Sequence, residues 1–428
     1  MTRPTRRALF QTLACARFAR AAEDDAFLED LSHRCFRLLW EQSDAATGLT
    51  VDRARTDGTR EPRAANIASI ASTGFALSGL CIAAERQWIP AGEAAGRVRA
   101  TLRAFDSKIE NQHGWFYHFL DATSGERAWK CELSSIDTAL LLSGVLTARQ
   151  YFARDSEIPR LATRIWERVD FQWMLNGSPN LLSHGWKPES GFLSSRWAKT
   201  SEGYLIYLLG IGSPTHALPP ESWYAWERET STYDGITYIS GAPLFTHQYP
   251  QAWFDLRGLR DRPPSSLDYF HNAFLATQVN RAFCIDLAKD FPKSYSPEIW
   301  GLTASDGEKG YHAWGNPPRR DGIDGTVVPC APAGSLMFDR DLCSAVLRAM
   351  KDRFGDRIWT RYGFVDAFNP TTGWVDADVL GIDQGISLLS AENARTGNVW
   401  KWFMRNPEMQ KSLRLAEFQR EPGRSHRP

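Results

Sequence analysis

The chain has 428 residues, 43% of them apolar, and its 50 basic and 50 acidic side chains cancel to a formal net charge of zero. No basic patch or acidic run stands out in the body, which argues against nucleic acid and against a polyanionic substrate. Seven cysteines without a CxxC pair form neither a zinc motif nor a disulfide framework, so buried thiols are expected, and 17 tryptophans suit either a large helical core or a sugar cleft.

The chain opens on Thr5-Arg6-Arg7-Ala8-Leu9-Phe10-Gln11, with an apolar stretch to Ala16 and then Ala19-Arg20-Ala21. This pattern resembles a twin-arginine export leader, so 1–22 is expected to be a leader and the protein periplasmic or secreted. Next, Phe27, Leu28, Leu31, Cys35, Phe36, Leu38 and Leu39 fall on one helical stripe. Ile67 to Ala84 is an apolar run rich in Ala, Ser and Gly, as in a helix packed on more than one side. Ala91 to Asp106 has a polar face, Ser134 to Phe152 is again apolar, and Ile158 to Trp173 is charged on one face. Gly203 to Leu209, Ser266 to Phe283, Asp341 to Phe354 and Gln384 to Ala394 complete the predicted helices. Strand-like Gly114 to Phe119 and Thr237 to Ile239 fit hairpins within loops. No later run reaches the roughly 18 apolar residues of a membrane span.

Buried, small-residue helices thus alternate with amphipathic ones, separated by long loops rich in Gly, Pro and Trp. Two concentric layers of helices, an all-α (α/α)6 toroid with short β-hairpins, explain that alternation better than a Rossmann or TIM arrangement. With no internal linker, one domain is expected over 23–418, followed by a disordered tail at 419–428.

Three acids stand at or just ahead of apolar helix starts: Asp137 in Ser134-Ser135-Ile136-Asp137, Glu202 in Thr200-Ser201-Glu202-Gly203-Tyr204, and Asp383 in Gly381-Ile382-Asp383-Gln384-Gly385. Taken singly, each reads equally well as a capping or first-turn residue. Taken together on parallel inner helices, they would converge at one mouth. Glycoside cleavage needs one protonated carboxyl at the leaving oxygen and a second carboxylate for water or for carbon. Helix N-termini favour the ionised form, so the acid needs an apolar neighbourhood, and Glu202, between Trp197 and Tyr204, is the choice. The base is left open between Asp137 and Asp383. Glu132, His247, Gln248, Asp255, Arg257 and Asp306 are candidate substrate-binding polar groups, with Trp186, Trp300 and Tyr311 as candidate stacking platforms. For Asp255 and Arg257 a structural ion pair is slightly favoured. No metal spacing and no cofactor motif is found, and a monomer is expected.

Several motifs in one order carry a family resemblance over about Phe27 to Phe418. They are Glu132-Leu133-Ser134-Ser135-Ile136-Asp137-Thr138-Ala139-Leu140, Leu208-Leu209-Gly210-Ile211-Gly212-Ser213-Pro214-Thr215-His216, Trp300-Gly301-Leu302-Thr303-Ala304-Ser305-Asp306, Tyr362-Gly363-Phe364-Val365-Asp366-Ala367-Phe368-Asn369 and Gly381-Ile382-Asp383-Gln384-Gly385. The chain resembles glycoamylase-domain proteins typified by glycoside hydrolase family 144, which are β-1,2-glucanases with an (α/α)6 fold. The resemblance implies inverting cleavage of β-1,2-linked glucan, endo-acting or releasing short sophoro-oligosaccharides, by Asp137, Glu202 and Asp383, with an acid able to act through a substrate hydroxyl. Two departures from the family pattern, Pro250 after His-Gln-Tyr and Ser390-Ala391-Glu392-Asn393-Ala394, are expected near the cleft. The alternatives are a transglycosylase on the same glucan and a non-catalytic glycan-binding protein. A lyase is disfavoured by the neutral charge and the acid-centred motifs.

Overall fold

The computed structural model describes residues 6–60, 65–263, 265–315 and 320–420, with side chains from residue 23 onward. Its helices are α1 (Arg6–Glu41), α2 (Ile70–Glu85), α3 (Ala91–Ser107), α4 (Ser135–Tyr151), α5 (Ile158–Glu167), α6 (Tyr204–Gly212) and α7 (Phe245–Trp253). They continue with α8 (Tyr269–Leu287), α9 (Cys330–Gly334), α10 (Arg340–Phe354), α11 (Gly381–Arg395), α12 (Asn398–Phe403) and α13 (Pro407–Leu415). Of the expected leader, 1–5 lie outside the described residues and the backbone from Arg6 belongs to α1.

Burial divides these helices into two kinds. Nearly every side chain of α2, α4, α6, α7, α9 and α11 is buried, as small and apolar residues on all faces require. By contrast α3, α5, α10 and α13 bury one face and turn their charges outward. The buried helices touch one another in a closed cycle: α2 with α4, α4 with α6, α6 with α7, α7 with α9, α9 with α11, and α11 with α2. The others pack behind them, α1 on α2 and α11, α3 on α2, α5 on α4, α13 on α6, α8 on α7 and α10 on α9. Between α2 and α4 the approach is closest where Gly74 faces Gly144, and a Cβ on Gly144 would overlap the Gly74 carbonyl.

Short strands sit at the N-terminal ends of the inner helices. Ile67–Ser69, just before α2, pairs with Phe119–Asp121. Leu133–Ser134, just before α4, pairs with Gly185–Lys187. Asp378–Leu380, just before α11, pairs with Arg53–Arg55. The Gly114 to Phe119 segment contributes Trp115–Phe116 to one hairpin and Phe119 to another pairing, and Ile236–Ile239 pairs with Thr230–Tyr233.

Some boundaries differ from expectation. The helix foreseen from Ile67 starts at Ile70, because Ile67–Ser69 is taken into a strand and Ser69 Oγ accepts from the Ser72 N–H as the cap. Helix α5 stops at Glu167 rather than Trp173, since the Asp170 N–H turns to the His113 carbonyl. Helices α7, α9, α12 and α13 were not anticipated. Each is short, and α7 contains Pro250, a residue that removes an intrahelical hydrogen bond. At the other end, Gln419–Arg420 pairs with Leu259–Arg260, so the ordered chain passes Phe418, and 421–428 of the expected tail lie outside the described residues. The six cysteines with described side chains are all buried free thiols. No helix among the described residues is long and apolar enough to cross a membrane.

Candidate active site

A cavity of about 360 Å³ opens where the inner helices begin. Its wall includes Ser69 at the cap of α2, Ile136, Asp137 and Leu140 of α4, Glu202 just ahead of α6, Phe245 and Tyr249 of α7, and Leu380 and Ile382 at the start of α11. The loops add Asp52, Arg53, His118, Phe119 and Tyr311. The N-terminal ends of inner helices therefore converge on one space, and they bring Asp137 and Glu202 to the same wall.

Glu202 is half-buried. Burial pushes its carboxyl up to about 7 against the pull of its own backbone N–H, with a smaller upward push from the nearby Asp137 charge. It therefore keeps its proton well above the ordinary carboxylate range and releases it near neutral pH. Gly203 beside it fits only because it lacks a side chain: a Cβ there would lie 2.6 Å from Cε3 of Trp197, whose Nε1 donates to Ser135 Oγ at 2.8 Å.

Asp137 combines the two readings that the sequence left open. Ser134 does cap α4, accepting from the Asp137 N–H at 3.2 Å, and its hydroxyl donates back to Asp137 Oδ2 at 2.5 Å. The same Oδ2 lies 3.4 Å from His118 Nε2. His118 Nδ1 lies 3.1 Å from Glu132 Oε1, and the ring stacks on Phe119 with centroids 3.8 Å apart. Burial lowers the His118 value, but the charges of Asp137, Glu132 and Asp52 outweigh it and raise it. Glu132 is pulled down to about 2, chiefly by its hydrogen bond to His118. Capping and cavity placement thus coexist, and they fix the Asp137 carboxylate from two sides.

Asp383 lies in the first turn of α11, whose cap position is Leu380, so Asp383 itself is not the cap. It stands behind the cavity wall, where the Tyr249 hydroxyl donates to its Oδ1 at 3.4 Å. Asp366 stands against it. Asp366 Oδ2 accepts from the Asp306 N–H at 2.7 Å, whereas Oδ1 is buried without a donor of its own. Two buried carboxyls in contact must share a proton, and burial plus the Asp383 charge hold it on Asp366, whose value is raised well above normal. Asp306, Asp366 and Asp376 place one oxygen each within 4.8 Å of one another, and among the described residues this is the group that could hold a metal ion. Arg53, donating to Asp306 Oδ2 at 2.7 Å, links this cluster to the cavity.

The remaining candidates separate clearly. Tyr311 is 58% exposed on the cavity wall and suits a stacking platform. Glu132 and Asp306 lie just behind the wall through His118 and Arg53. Trp300 is fully buried in the core, so it offers no face to a ligand. Trp186 packs on Trp173 and does not line the cavity. His247 holds the Gly241 backbone at 3.1 Å, and burial lowers its value to about 4. Gln248 donates to the Ala331 carbonyl and to Ser335 Oγ, both at 2.8 Å, tying α7 to α9. Asp255 and Arg257 form the ion pair favoured from the sequence, with Arg257 over the Trp400 ring, away from the cavity. Pro250 and Ser390 to Ala394 do not line it either. Sequence reasoning missed Asp52, Arg53, Ser69, His118, Phe119, Phe245, Tyr249 and Asp366. Phe245 and Tyr249 share a face of α7 as i and i+4, but α7 itself was not legible, so no sequence signal pointed to them.

Carboxyl groups and aromatic faces lining one cavity are the features that carbohydrate chemistry uses. The family model described as Glycoamylase, "Putative glucoamylase", matches residues 194–407. The chain is 27% identical over 433 residues to an exo β-1,2-glucooligosaccharide sophorohydrolase (non-reducing end) of Parabacteroides distasonis, covering 92% of this chain and 58% of that protein. It thus spans rather more than half the length of that relative. Among solved structures, an endo-β-1,2-glucanase from Chitinophaga pinensis in complex with sophorotriose and glucose superposes with a TM-score of 0.84 at 28% identity, covering 92% of this chain and 98% of that one. A "putative glucoamylase" from Bacteroides fragilis superposes with a TM-score of 0.84 at 30% identity, covering 93% and 98%. The chain belongs to the glycoamylase-domain family.

Proposed function

We propose that this protein is a glycoside hydrolase that cleaves β-1,2-linked glucan, releasing sophoro-oligosaccharides, on an (α/α)6 toroid whose inner ring is α2, α4, α6, α7, α9 and α11. The observation that carries the reading is one cavity lined both by Glu202, whose carboxyl keeps its proton up to about pH 7, and by Asp137, held by Ser134 and His118. The printed activities of the Parabacteroides and Chitinophaga relatives support the linkage. The closed cycle of buried helices supports the toroid.

Glu202 gives its proton to the leaving glycosidic oxygen, directly or through a substrate hydroxyl, as the C1–O bond breaks. Asp137 is the base: it takes a proton from the water that attacks C1 from the opposite face, so the anomeric configuration inverts. The donors on Asp137 favour this assignment, while Asp383, behind Tyr249 and paired with Asp366, sets the charge of the neighbouring wall. The twin-arginine pattern at Arg6 and Arg7 supports export, which fractionation of the producing cells would check, and action as a monomer is checked by light scattering.

Replacing Glu202 by Gln or Asp137 by Asn should lower turnover by about 10²–10⁴-fold while leaving the circular dichroism spectrum unchanged. Near-wild-type turnover by a folded variant would remove that residue from the mechanism.

A further inference from the structure

Trp129 is 58% exposed, a costly placement for the largest side chain in a protein that buries most of its tryptophans. Its backbone adds to that cost. Trp129 (φ +51°) and Lys130 (φ +49°) both occupy the left-handed region, where a bulky side chain is an outlier. The loop is nonetheless tied down. The Ala128 N–H donates to the Phe119 carbonyl at 3.0 Å and the Cys131 N–H to the Ala128 carbonyl at 3.1 Å. Arg127 Nε donates to the Cys131 carbonyl at 2.6 Å, while its Nη atoms grip Glu189 at 2.7 and 3.0 Å. A firmly anchored, strained turn thus presents an indole to solvent.

The indole also has a defined neighbour. Trp129 meets Phe119 edge-on with ring centroids 5.1 Å apart, and Phe119 is part of the cavity wall. The other well-exposed aromatic ring among the described residues, Tyr311, stands on that wall as well. Phe119 therefore links the cavity wall to the Trp129 indole. Flat, uncharged aromatic faces take the C–H face of a pyranose, and exposed Lys130 offers a donor to its hydroxyls.

We infer that Trp129 forms an outer subsite that stacks a glucosyl unit of the same β-1,2-glucan chain beyond the units held in the cavity. This rests on the proposed function and extends it to substrate length. Trp129 positions long chains and takes no part in bond cleavage.

The test compares Trp129→Ala and Trp129→Phe with the wild type on polymeric β-1,2-glucan and on the shortest β-1,2-gluco-oligosaccharide that the wild type cleaves. Trp129→Ala should raise KM for the polymer about five- to tenfold with kcat little changed, leave kcat/KM for the shortest substrate unaltered, and be largely rescued in Trp129→Phe. Equal kinetics of Trp129→Ala and wild type on the polymer would overturn the subsite, as would an equal loss on both substrates. A wild-type protein that cleaves no β-1,2-glucan would overturn the functional reading itself and, with it, the occupant assigned to Trp129.

Discussion

Glu202 keeps its proton to about pH 7 because burial and the Asp137 charge both oppose ionisation. In its proposed role of general acid it acts protonated, so kcat/KM should fall about tenfold per pH unit above pH 7. Its stability linkage has a definite sign. The folded state holds this proton from the ordinary value of 4.5 up to about 7, and the unfolded state does not. Stability therefore declines as pH rises through that window, and the ionised group burdens the fold above it. Glu202→Gln should consequently melt higher than wild type at pH 8 and the same near pH 4, as differential scanning calorimetry at the two pH values will show. At this scale the sequence pointed to Asp137 and Glu202, which do line one cavity, because each stands at or just ahead of the start of an apolar run; Asp383 carries the same signal yet lies behind the wall. His118 was not: in a loop its neighbours Glu132 and Asp137, 14 and 19 residues away, become visible only once Leu133–Ser134 is paired. Asp366 was quoted within a motif, yet nothing local tells that it faces Asp383.

The inner helices owe their tight packing to residues that have little or no side chain. Gly74 and Gly144 let α2 and α4 approach until a single added methyl would collide with a carbonyl. Gly144→Ala should therefore destabilise the fold by about 1–3 kcal/mol through overpacking, despite alanine's better helix propensity, and a urea titration will read this as a lower midpoint at unchanged m-value. Long apolar helices such as α2, α4 and α11 could be read from the sequence because their burial leaves few polar interruptions. The short ones could not. In α7 a proline and a mixture of Thr, His, Gln and Tyr hide a buried helix whose glutamine Nε2 groups donate to tertiary partners, Gln248 to Ala331 and Ser335 and Gln251 to Tyr269, while both Oε1 atoms are buried without a donor. The same helix explains why His247 and Gln248 looked like ligands: a buried polar side chain that binds its own protein carries the same sequence signal as one that binds a substrate.

For the molecule as a whole, the order of the elements matters more than any one of them. The buried helices α2, α4, α6, α7 and α11 bring residues at or near their first turns to one cavity, with short strands just ahead of α2, α4 and α11. That arrangement suits the proposed glycan cleavage, in which linkage would be set by the wall residues Arg53, His118, Phe119, Phe245, Tyr249 and Tyr311. The family description speaks of glucoamylase, whereas the Parabacteroides and Chitinophaga relatives are named for β-1,2-glucans. The most direct measurement is chromatography of the products formed by the purified protein from linear β-1,2-glucan, with starch, laminarin and cellulose oligomers alongside. Sophoro-oligosaccharides from β-1,2-glucan, with the other three intact, are the expected result. Cleavage of starch with β-1,2-glucan left intact would contradict the assignment.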